Sequence, residues 1–455
     1  MNYKLIITSI LLLSVNILSQ NYTVMGYYPE WKKYELPAED IKYNNLTHII
    51  HAFVWPDSTG ELIIPDDFIY PQLIESAHAN SVKVMIALGG WDNSNGFVPM
   101  ISDTSSRSLF INNLSAFIDS CGYDGVDLDW EFPENIAQGE LLRVFVEDLR
   151  NNLADSLQIS IACNAGMWIG QYFKYEEMAD NIDWYSIMAF EYHGGWSAHS
   201  GHNAPLYAPS NDICGSVDAS ARYFTNTRNI PSEKLLIGIP FYGKQFNASG
   251  LYRAFTGEVT IREFADIYPE IENGWNYYWD DFSKVPYLRD SLGATLITFD
   301  DTLSIEEKVK YVKENSFAGV MIWALGQDVV NGSQVLLEKV GTEIKKEFTS
   351  LPEPVSTSLP GNFELYNSYP NPFNPSTTIR YCIPALDDEN ITSSARVTLR
   401  VFDILGNEVA TLVNKYQSAG LYEIKFNAAG LSSGIYFYIL RAGDKISRKK
   451  MILLK

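Results

Sequence analysis

Short apolar runs rich in β-branched residues alternate with stretches of helical periodicity between residues 24 and 323. These runs predict eight strands: Val24–Tyr28, Thr47–Val54, Val82–Leu88, Asp124–Glu131, Leu157–Cys163, Ile182–Phe190, Leu235–Phe241 and Gly319–Trp323. Strands separated by helical segments are typical of βα units, which pair into a parallel sheet. Eight such units predict an α/β fold, a (β/α)8 TIM barrel, in which functional residues lie at the carboxyl ends of the strands.

The pattern changes after Glu347. Residues 348–362 are rich in Pro and Ser and predict a linker. Beyond the linker the hydrophobic positions recur with a period of two, as at Val397/Leu399/Val401 and Ile435/Phe437/Ile439, and turns such as Leu405–Asn407 separate the runs. Residues 363–455 therefore predict a small antiparallel β-sandwich.

The amino terminus has the features of a secretory signal peptide. Lys4 precedes the apolar run Leu5–Leu18, and Ser19-Gln20 follow it. The run is too short and too often interrupted by polar residues for a membrane span. We therefore predict a signal peptide at residues 1–20, a barrel domain at residues 21–347, and export of the mature chain.

One segment concentrates candidate chemistry. Asp127, Asp129 and Glu131 are spaced two apart, with Leu128 and Trp130 between them. Because alternate side chains of a strand point to opposite faces, the three acids share one face, and Glu131 ends the strand. The preceding residues, Phe117-Ile118 and the turn Gly122–Gly125, predict a helix end that leads into this strand.

A row of buried acids has three interpretations. It could hold a hard cation such as Mg²⁺ or Ca²⁺, although the offsets of an EF-hand are missing. It could be a hydrogen-bonded structural cluster. It could also perform general acid catalysis, because like-charged neighbours favour the protonated form of Glu131 near neutral pH. We favour general acid catalysis.

The segment Asp124–Glu131 resembles the DxxDxDxE signature of glycoside hydrolase family 18, the chitinase family. Further landmarks of the family follow in order at the predicted strand ends. The resemblance implies Glu131, Asp129 and Asp127 as catalytic residues. It implies these substrate-binding residues: Tyr27, Phe53, Gly90, Trp91, Trp130, Met188, Phe190, Glu191, Tyr242, Lys244, Met321 and Trp323.

The same resemblance implies a retaining, substrate-assisted mechanism without cofactor or metal. Glu131 would protonate the glycosidic oxygen while the 2-acetamido oxygen of the sugar attacks its own anomeric carbon. Asp129 would orient the acetamido group and share a proton with Asp127. Substrates would then be glycans that contain N-acetylglucosamine. The family also implies a small α+β insertion between strands seven and eight, from Phe246 to about Asp300.

Three positions depart from the family pattern. Phe190 and Glu191 stand where Tyr and Asp are usual, and Lys244 replaces a frequent Arg. The Tyr hydroxyl ordinarily bonds the acetamido oxygen, and loss of one positioned donor can cost on the order of 10²–10³ in rate. Lysine presents a point charge where arginine presents a fork. These residues predict a slower enzyme or a variant substrate.

The tail from Phe363 to Lys455 resembles the C-terminal sorting domain of type IX secretion substrates. This resemblance implies the secretion machinery as a partner, and a bacterial protein that is exported through the periplasm and is secreted or attached to the cell surface. A carbohydrate-binding module is the alternative. The tail has no Trp on which a sugar could stack, which favours sorting.

Composition narrows the classes of partner. A formal charge of −21, from 34 basic and 55 acidic residues, argues against nucleic acid and suits a neutral polysaccharide. The four Cys have no CxxC spacing, so neither a zinc site nor a disulfide framework is indicated. His193 and His202 have no second ligand at helical or hairpin spacing, so we interpret both as structural.

The sequence thus predicts a secreted, monomeric chitinase that cleaves β-1,4 bonds between N-acetylglucosamine units. Two alternatives stay open. One is an endo-β-N-acetylglucosaminidase that cuts the core of N-glycans, and the other is a lectin on a catalytically weak barrel. Lectin relatives lose the acid, whereas Glu131 is present here.

Overall fold

The computed structural model describes residues 22–209, 212–272, 274–346, 363–366, 368, 371–383, 395–417, 420–443 and 445–455. The predicted signal peptide and linker lie outside these residues. The chain divides into two compact units, with the division between Glu347 and Phe348. Among the described residues, no helix combines the length and the apolar composition needed to cross a membrane.

Eight parallel strands of the first unit close into a barrel, as predicted. They are β1 Thr23–Pro29, β2 His48–Pro56, β3 Lys83–Gly89, β4 Gly125–Asp129, β5 Gln158–Asn164, β6 Trp184–Met188, β7 Leu235–Pro240 and β8 Gly319–Trp323. Closure is direct: β1 pairs with β2 on one side and with β8 on the other, where Met25 lies opposite Met321. A two-residue strand, Leu62–Ile63, pairs in the antiparallel direction with the last two residues of β2.

Ten α-helices are present in the described part of this unit. They are α1 Pro71–Ala79, α2 Phe97–Ser102, α3 Thr104–Cys121, α4 Ile136–Asn152, α5 Met167–Gly170, α6 Tyr175–Met178, α7 Val217–Arg222, α8 Phe264–Glu272, α9 Thr302–Glu314 and α10 Val335–Lys345. Helix α3 ends as the sequence predicts. Gly122 adopts a left-handed φ of 81° and donates its N–H to the carbonyl of Ile118, which satisfies a carbonyl at the helix end.

The period of two within each strand separates two apolar clusters. In β3, Val84, Ile86 and Leu88 belong to the large cluster between barrel and helices, whereas Met85 and Ala87 belong to a smaller one inside the barrel. Strand β4 follows the same rule. Its outer positions are Val126 and Leu128, and its inner positions are Asp127 and Asp129. The acids therefore occupy inner positions of the kind that β3, the neighbouring strand on one side, fills with apolar side chains.

An α+β insertion lies between β7 and β8, as expected. Its five antiparallel strands are Tyr242–Asn247, Thr256–Glu263, Asn276–Asp280, Val285–Arg289 and Leu296–Thr298, and α8 belongs to it. The sheet begins at Tyr242, four residues before the predicted start. Phe241 is the turning point, because its N–H still donates to the barrel carbonyl of Trp323. Tyr242 and Lys244 therefore lie on the insertion's first strand.

The second unit is built from two antiparallel sheets. One contains Glu364–Leu365, Ser376–Ile383 and Gly420–Asn427; the other contains Ala395–Phe402, Glu408–Gln417, Gly434–Ala442 and Lys445–Leu453. Side chains of both sheets, such as Ile379 and Leu399, share one buried cluster. The two sheets therefore face each other, in agreement with the predicted sandwich.

In the strand Gly434–Ala442, the buried face is the opposite of the one that the sequence pattern indicated. Ile435 and Phe437 are exposed, and Tyr436, Tyr438 and Leu440 are buried. Every residue from 435 to 440 is apolar or aromatic, so alternation alone does not distinguish the faces. The hydroxyl of Tyr438 favours the observed face, because it donates to the carbonyl of Tyr366 at 2.9 Å.

Candidate active site

The acids lie at the carboxyl end of β4, where the sequence places them. Asp127 and Asp129 are inner residues of the strand, and Glu131 follows two residues after its end. The backbone of Gly90 approaches closely and donates its N–H to the carbonyl of Asp129 at 2.8 Å. A Cβ on Gly89, whose φ is 113°, would lie 2.4 Å from that same oxygen. Glycine is therefore required beside the acids.

Asp127 is fully buried and accepts two side-chain hydrogen bonds. The hydroxyl of Tyr27 donates to Oδ2 and that of Ser160 donates to Oδ1, both at 2.5 Å. Burial raises the pKa of Asp127 to about 6, and the two hydroxyl donors oppose that rise. The side chain is thus locked in place and lies close to half ionised near pH 6.

Asp129 lies between the other two acids along the strand and is also buried. Burial, followed by the charges of Glu131 and Asp127, raises its pKa well above the ordinary value. Its Oδ1 is buried and has no hydrogen-bond partner among the residues that the structure describes. An unpaired buried oxygen is costly, so this atom is suited to a polar group of a ligand.

Glu131 is partly exposed, and its backbone N–H donates to the hydroxyl of Ser94 at 3.0 Å. Burial raises the pKa of its carboxyl to about 7, with further contributions from the charges of Glu191 and Asp92. The motif predicts that like-charged neighbours favour the protonated form of Glu131. Desolvation and the charges of two residues outside the motif add to that effect.

This arrangement predicts the pH dependence of any reaction in which Glu131 donates a proton. We expect kcat/KM to fall as the pH rises through about 7, because deprotonation removes the acid. Glu191→Gln should shift this basic limb to lower pH, since it removes a charge that raises the pKa of Glu131. The check is a pH–rate profile of wild type and Glu191→Gln, with the exposed Glu134→Gln as control; an unshifted limb in Glu191→Gln would contradict the assignment.

Aromatic rings form a floor inside the opening at the carboxyl ends of the barrel strands. The ring centroid of Trp323 lies 5.3 Å from that of Tyr27 and 5.9 Å from that of Phe53. Met321 and Met188 belong to the same inner cluster, Met321 fully buried and Met188 partly exposed. A Cβ on Gly90 would lie 3.1 Å from the ring of Phe53. These predicted substrate-site residues come from five different strands or strand ends and meet in one floor.

A second group of predicted residues forms a charged corner beside the floor. Glu191 accepts a hydrogen bond from Tyr242 at 2.8 Å and pairs with Lys244 at 2.7 Å. Phe190 packs edge-on against Tyr242, with ring centroids 6.0 Å apart, and Lys244 also lies over the ring of Trp196. The longer Glu191 thus reaches both a hydroxyl and an ammonium group.

Two aromatic residues next to the motif glycines and acids differ sharply in position. Trp91 is 73% exposed, at the rim of the barrel. Trp130 is 4% exposed and stacks on Phe97 in the outer cluster, with centroids 5.5 Å apart. The prediction that the Trp130 side chain lines the substrate site is therefore wrong. Alternation explains it, since Trp130 continues the outward positions of Val126 and Leu128.

Three contributors to the site were not identified from the sequence. Ser160 anchors Asp127, Ser94 holds the backbone of Glu131, and Asp92 adds its charge to that residue. Ser160 leaves a signal in the sequence, as a polar residue between Ile159 and Ile161 in an apolar strand. Ser94 and Asp92 lie outside the strands and α-helices, where the sequence pattern does not indicate which way a side chain points.

Known proteins resemble the chain over its barrel. Chitinase A1 of Niallia circulans is 26% identical over 439 residues, covering 76% of this chain and 62% of that protein. A probable endochitinase of Caenorhabditis elegans is 29% identical over 356 residues, covering 69% and 57%. The chain therefore spans less than two thirds of the length of these relatives.

Solved structures agree in fold. The Group IV chitinase of Ostrinia furnacalis in complex with allosamidin has a TM-score of 0.66 at 23% identity, covering 71% of this chain and 98% of that one. Catalytic domain 2 of the Group II chitinase of the same species has a TM-score of 0.66 at 26% identity, covering 71% and 96%.

Two family models match separate parts of the chain. Residues 367–454 match the secretion system C-terminal sorting domain, in agreement with the resemblance of the tail. Residues 23–328, which include the whole barrel and its acids, match glycosyl hydrolases family 18. The chain is a member of glycosyl hydrolases family 18.

Proposed function

We propose that this protein is a secreted chitinase that hydrolyses β-1,4 linkages between N-acetylglucosamine units with retention of configuration. The observation that supports this most is the presence of two different acids in one site. Glu131 has a pKa of about 7, and Asp129 has a buried Oδ1 that is unpartnered among the described residues. One group can give and take a proton near neutral pH. The other can hold a polar group of the sugar.

The raised pKa of Asp129 argues for a substrate-assisted route. A raised pKa disfavours the anionic form that a nucleophilic carboxylate needs, and so favours attack by the acetamido oxygen of the substrate. In the proposal, Glu131 protonates the glycosidic oxygen and the 2-acetamido oxygen attacks the anomeric carbon. This forms an oxazolinium ion and breaks the glycosidic bond. Water then opens the ion, with Glu131 now acting as base, and the proton returns to Glu131.

Asp127 serves Asp129 in this scheme. When the shared proton resides on Asp127, Asp129 is ionised, accepts the acetamido N–H and stabilises the positive charge of the oxazolinium ion. The two hydroxyl donors on Asp127 fix its orientation while the proton moves. The floor formed by Tyr27, Phe53 and Trp323 would support the sugar at the cleaved bond, and exposed Trp91 would stack on the sugar beyond it.

The proposed substrate is tested by mass spectrometry of products from chitohexaose and from a high-mannose glycopeptide, with wild type and Glu131→Gln. Short N-acetylglucosamine oligomers from wild type alone would support a chitinase. Release of intact glycan, with chitohexaose unchanged, would instead indicate an endo-β-N-acetylglucosaminidase. Binding of chitohexaose without any product would indicate a lectin.

Phe190 provides a separate test of the proposed substrate geometry. We expect Phe190→Tyr to raise kcat on chitohexaose by about tenfold, because a hydroxyl at this position would hydrogen-bond the acetamido oxygen as it attacks. The ring is partly exposed and packs edge-on against that of Tyr242, so it is not fully enclosed. Steady-state kinetics of both proteins measure the effect. An unchanged or lower kcat would show that Phe190 does not limit the rate.

Export is part of the same proposal. Residues 1–20 would direct the chain to the periplasm, and the domain at residues 363–455 would present it to the type IX secretion machinery, as the match to a sorting domain supports. The linker at residues 348–362 would join that domain to the catalytic barrel at residues 21–347. The enzyme would then meet its polysaccharide outside the cell.

A further inference from the structure

We propose a zinc-binding site at a histidine–aspartate cluster formed by His193, His199 and Asp212, away from the acids of β4. The three residues lie in the long connection between β6 and α7. One ligand atom from each lies within 4.8 Å of the other two. The sequence predicts a structural role for His193, because no ligand lies at helical or hairpin spacing from it. The fold supplies two ligands at irregular spacing.

The hydrogen bonds of both imidazoles fix which ring nitrogen keeps a lone pair. Nδ1 of His193 lies 3.0 Å from the carbonyl oxygen of His202, and Nδ1 of His199 lies 3.0 Å from that of Ser200. A carbonyl oxygen can only accept, so each Nδ1 carries the proton and each Nε2 keeps its lone pair. Zinc-binding histidines commonly donate their second N–H to a backbone carbonyl in this way.

Two of the ligand atoms are buried without compensation. His193 is fully buried, and its Nε2 has no hydrogen-bond partner within the described part of the chain. Asp212 is 9% exposed, and its Oδ2 is likewise buried and unpartnered there. Two unsatisfied hydrogen-bond acceptors in one buried place are costly. A cation bound between them would satisfy both.

The distances suit a tetrahedral ion after a small movement. His193 Nε2 lies 3.4 Å from Asp212 Oδ1, and ligands bound at about 2.1 Å in a tetrahedron are separated by about 3.4 Å. His199 completes the set by moving inward, which its partly exposed position allows. Two imidazoles and one carboxylate favour Zn²⁺ over Mg²⁺ or Ca²⁺. Water would take the fourth position.

A simple ion pair between a charged His193 and Asp212 is the competing explanation. It gives His199 no role, and it leaves Nε2 of His193, which lies 3.4 Å from Oδ1 of Asp212, without a hydrogen bond. An ion would also do more than a pair. It would fasten Asp212 to the connection just after Glu191, and so restrain the charged corner of the active site.

The test uses the full-length protein, stripped with EDTA and titrated with ZnCl₂ by calorimetry, with thermal unfolding as a second readout. Wild type should bind one Zn²⁺ per chain, and its Tm should rise when Zn²⁺ is added. His199→Ala should raise the Kd by at least about tenfold and remove the Tm shift, since loss of a direct ligand costs no less than loss of an outer partner. Asp212→Asn, which keeps the side-chain shape, should also weaken binding.

Two control variants separate this site from accidental binding. His78 pairs with Asp124 at 2.8 Å near the amino end of β4, so His78→Ala removes a histidine–carboxylate pair elsewhere. Cys214→Ser removes a free thiol close to Asp212. Both controls should bind Zn²⁺ as wild type does. The proposal is overturned if wild type fails to bind, if His199→Ala and Asp212→Asn bind normally, or if either control abolishes binding.

Discussion

Glu131→Gln is expected to lower kcat on chitohexaose by on the order of 10³–10⁴-fold, the upper part of the range for loss of general acid–base catalysis. A loss of 10³ corresponds to about 4 kcal/mol of transition-state stabilisation. Glutamine keeps the shape of the side chain but carries no proton to give at neutral pH. It also carries no charge, so it avoids the cost of burying an anion, which is the main cause of the raised pKa of Glu131. We therefore expect KM for the oligosaccharide to change little.

Initial rates from separated products, together with calorimetric binding of chitohexaose, distinguish loss of chemistry from loss of binding. Glu134→Gln is the matched control, because Glu134 lies three residues further along the same loop and its side chain is exposed. It should react at the wild-type rate. A Glu131→Gln variant that keeps more than about a tenth of the wild-type kcat would rule out Glu131 as the acid.

Asp129→Asn should lower kcat by on the order of 10²–10³-fold, the typical cost of removing one preorganised charge-stabilising group. The amide matches the carboxyl in size, so the buried position remains filled. However, it cannot become an anion when the oxazolinium ion forms, and it cannot exchange a proton with Asp127. The loss should appear in kcat more than in KM, because the charge develops only on the way to the intermediate.

Asp124→Asn is the control for this variant. Asp124 precedes the same strand at its opposite end, where it accepts hydrogen bonds from His78 and from the backbone N–H of Val84. Its replacement should lower the Tm and leave kcat close to that of wild type. If Asp129→Asn behaved in the same way, with reduced Tm and normal kcat, Asp129 would be a structural residue and the substrate-assisted proposal would fail.

Local patterns account for most of the architecture. Each barrel strand is a short apolar run that can be recognised within ten residues, and each lies within a few residues of its predicted bounds. The alternation of Asp127, Leu128 and Asp129 also predicts an inward row of acids, because the strand geometry has a period of two wherever the strand is placed. The sequence by itself therefore determined the barrel, the place of the acids at its carboxyl end, and the class of chemistry that they suggest.

Interactions between distant segments account for the rest. The loops that carry Glu191 and Asp92 contribute to the raised pKa of Glu131, and Ser160 from β5 orients Asp127. Trp130 was assigned to the site from its place in the motif, yet its ring packs outside the barrel. In the tail, residues 435–440 are all apolar or aromatic, so the sequence did not indicate which face of that strand is buried.

The histidine–aspartate cluster shows the same limit most clearly. His193, His199 and Asp212 follow no helical or strand period, so their spacing carries no information about a shared site. They meet because the connection after β6 folds back on itself, with the N–H of Tyr192 donating to the carbonyl of Asn203. Helices and strands can be predicted from the sequence because their regular period fixes the direction of each side chain relative to its neighbours. In a connection without a repeat, direction depends on the contacts that the folded chain provides, and only the tertiary structure decided it.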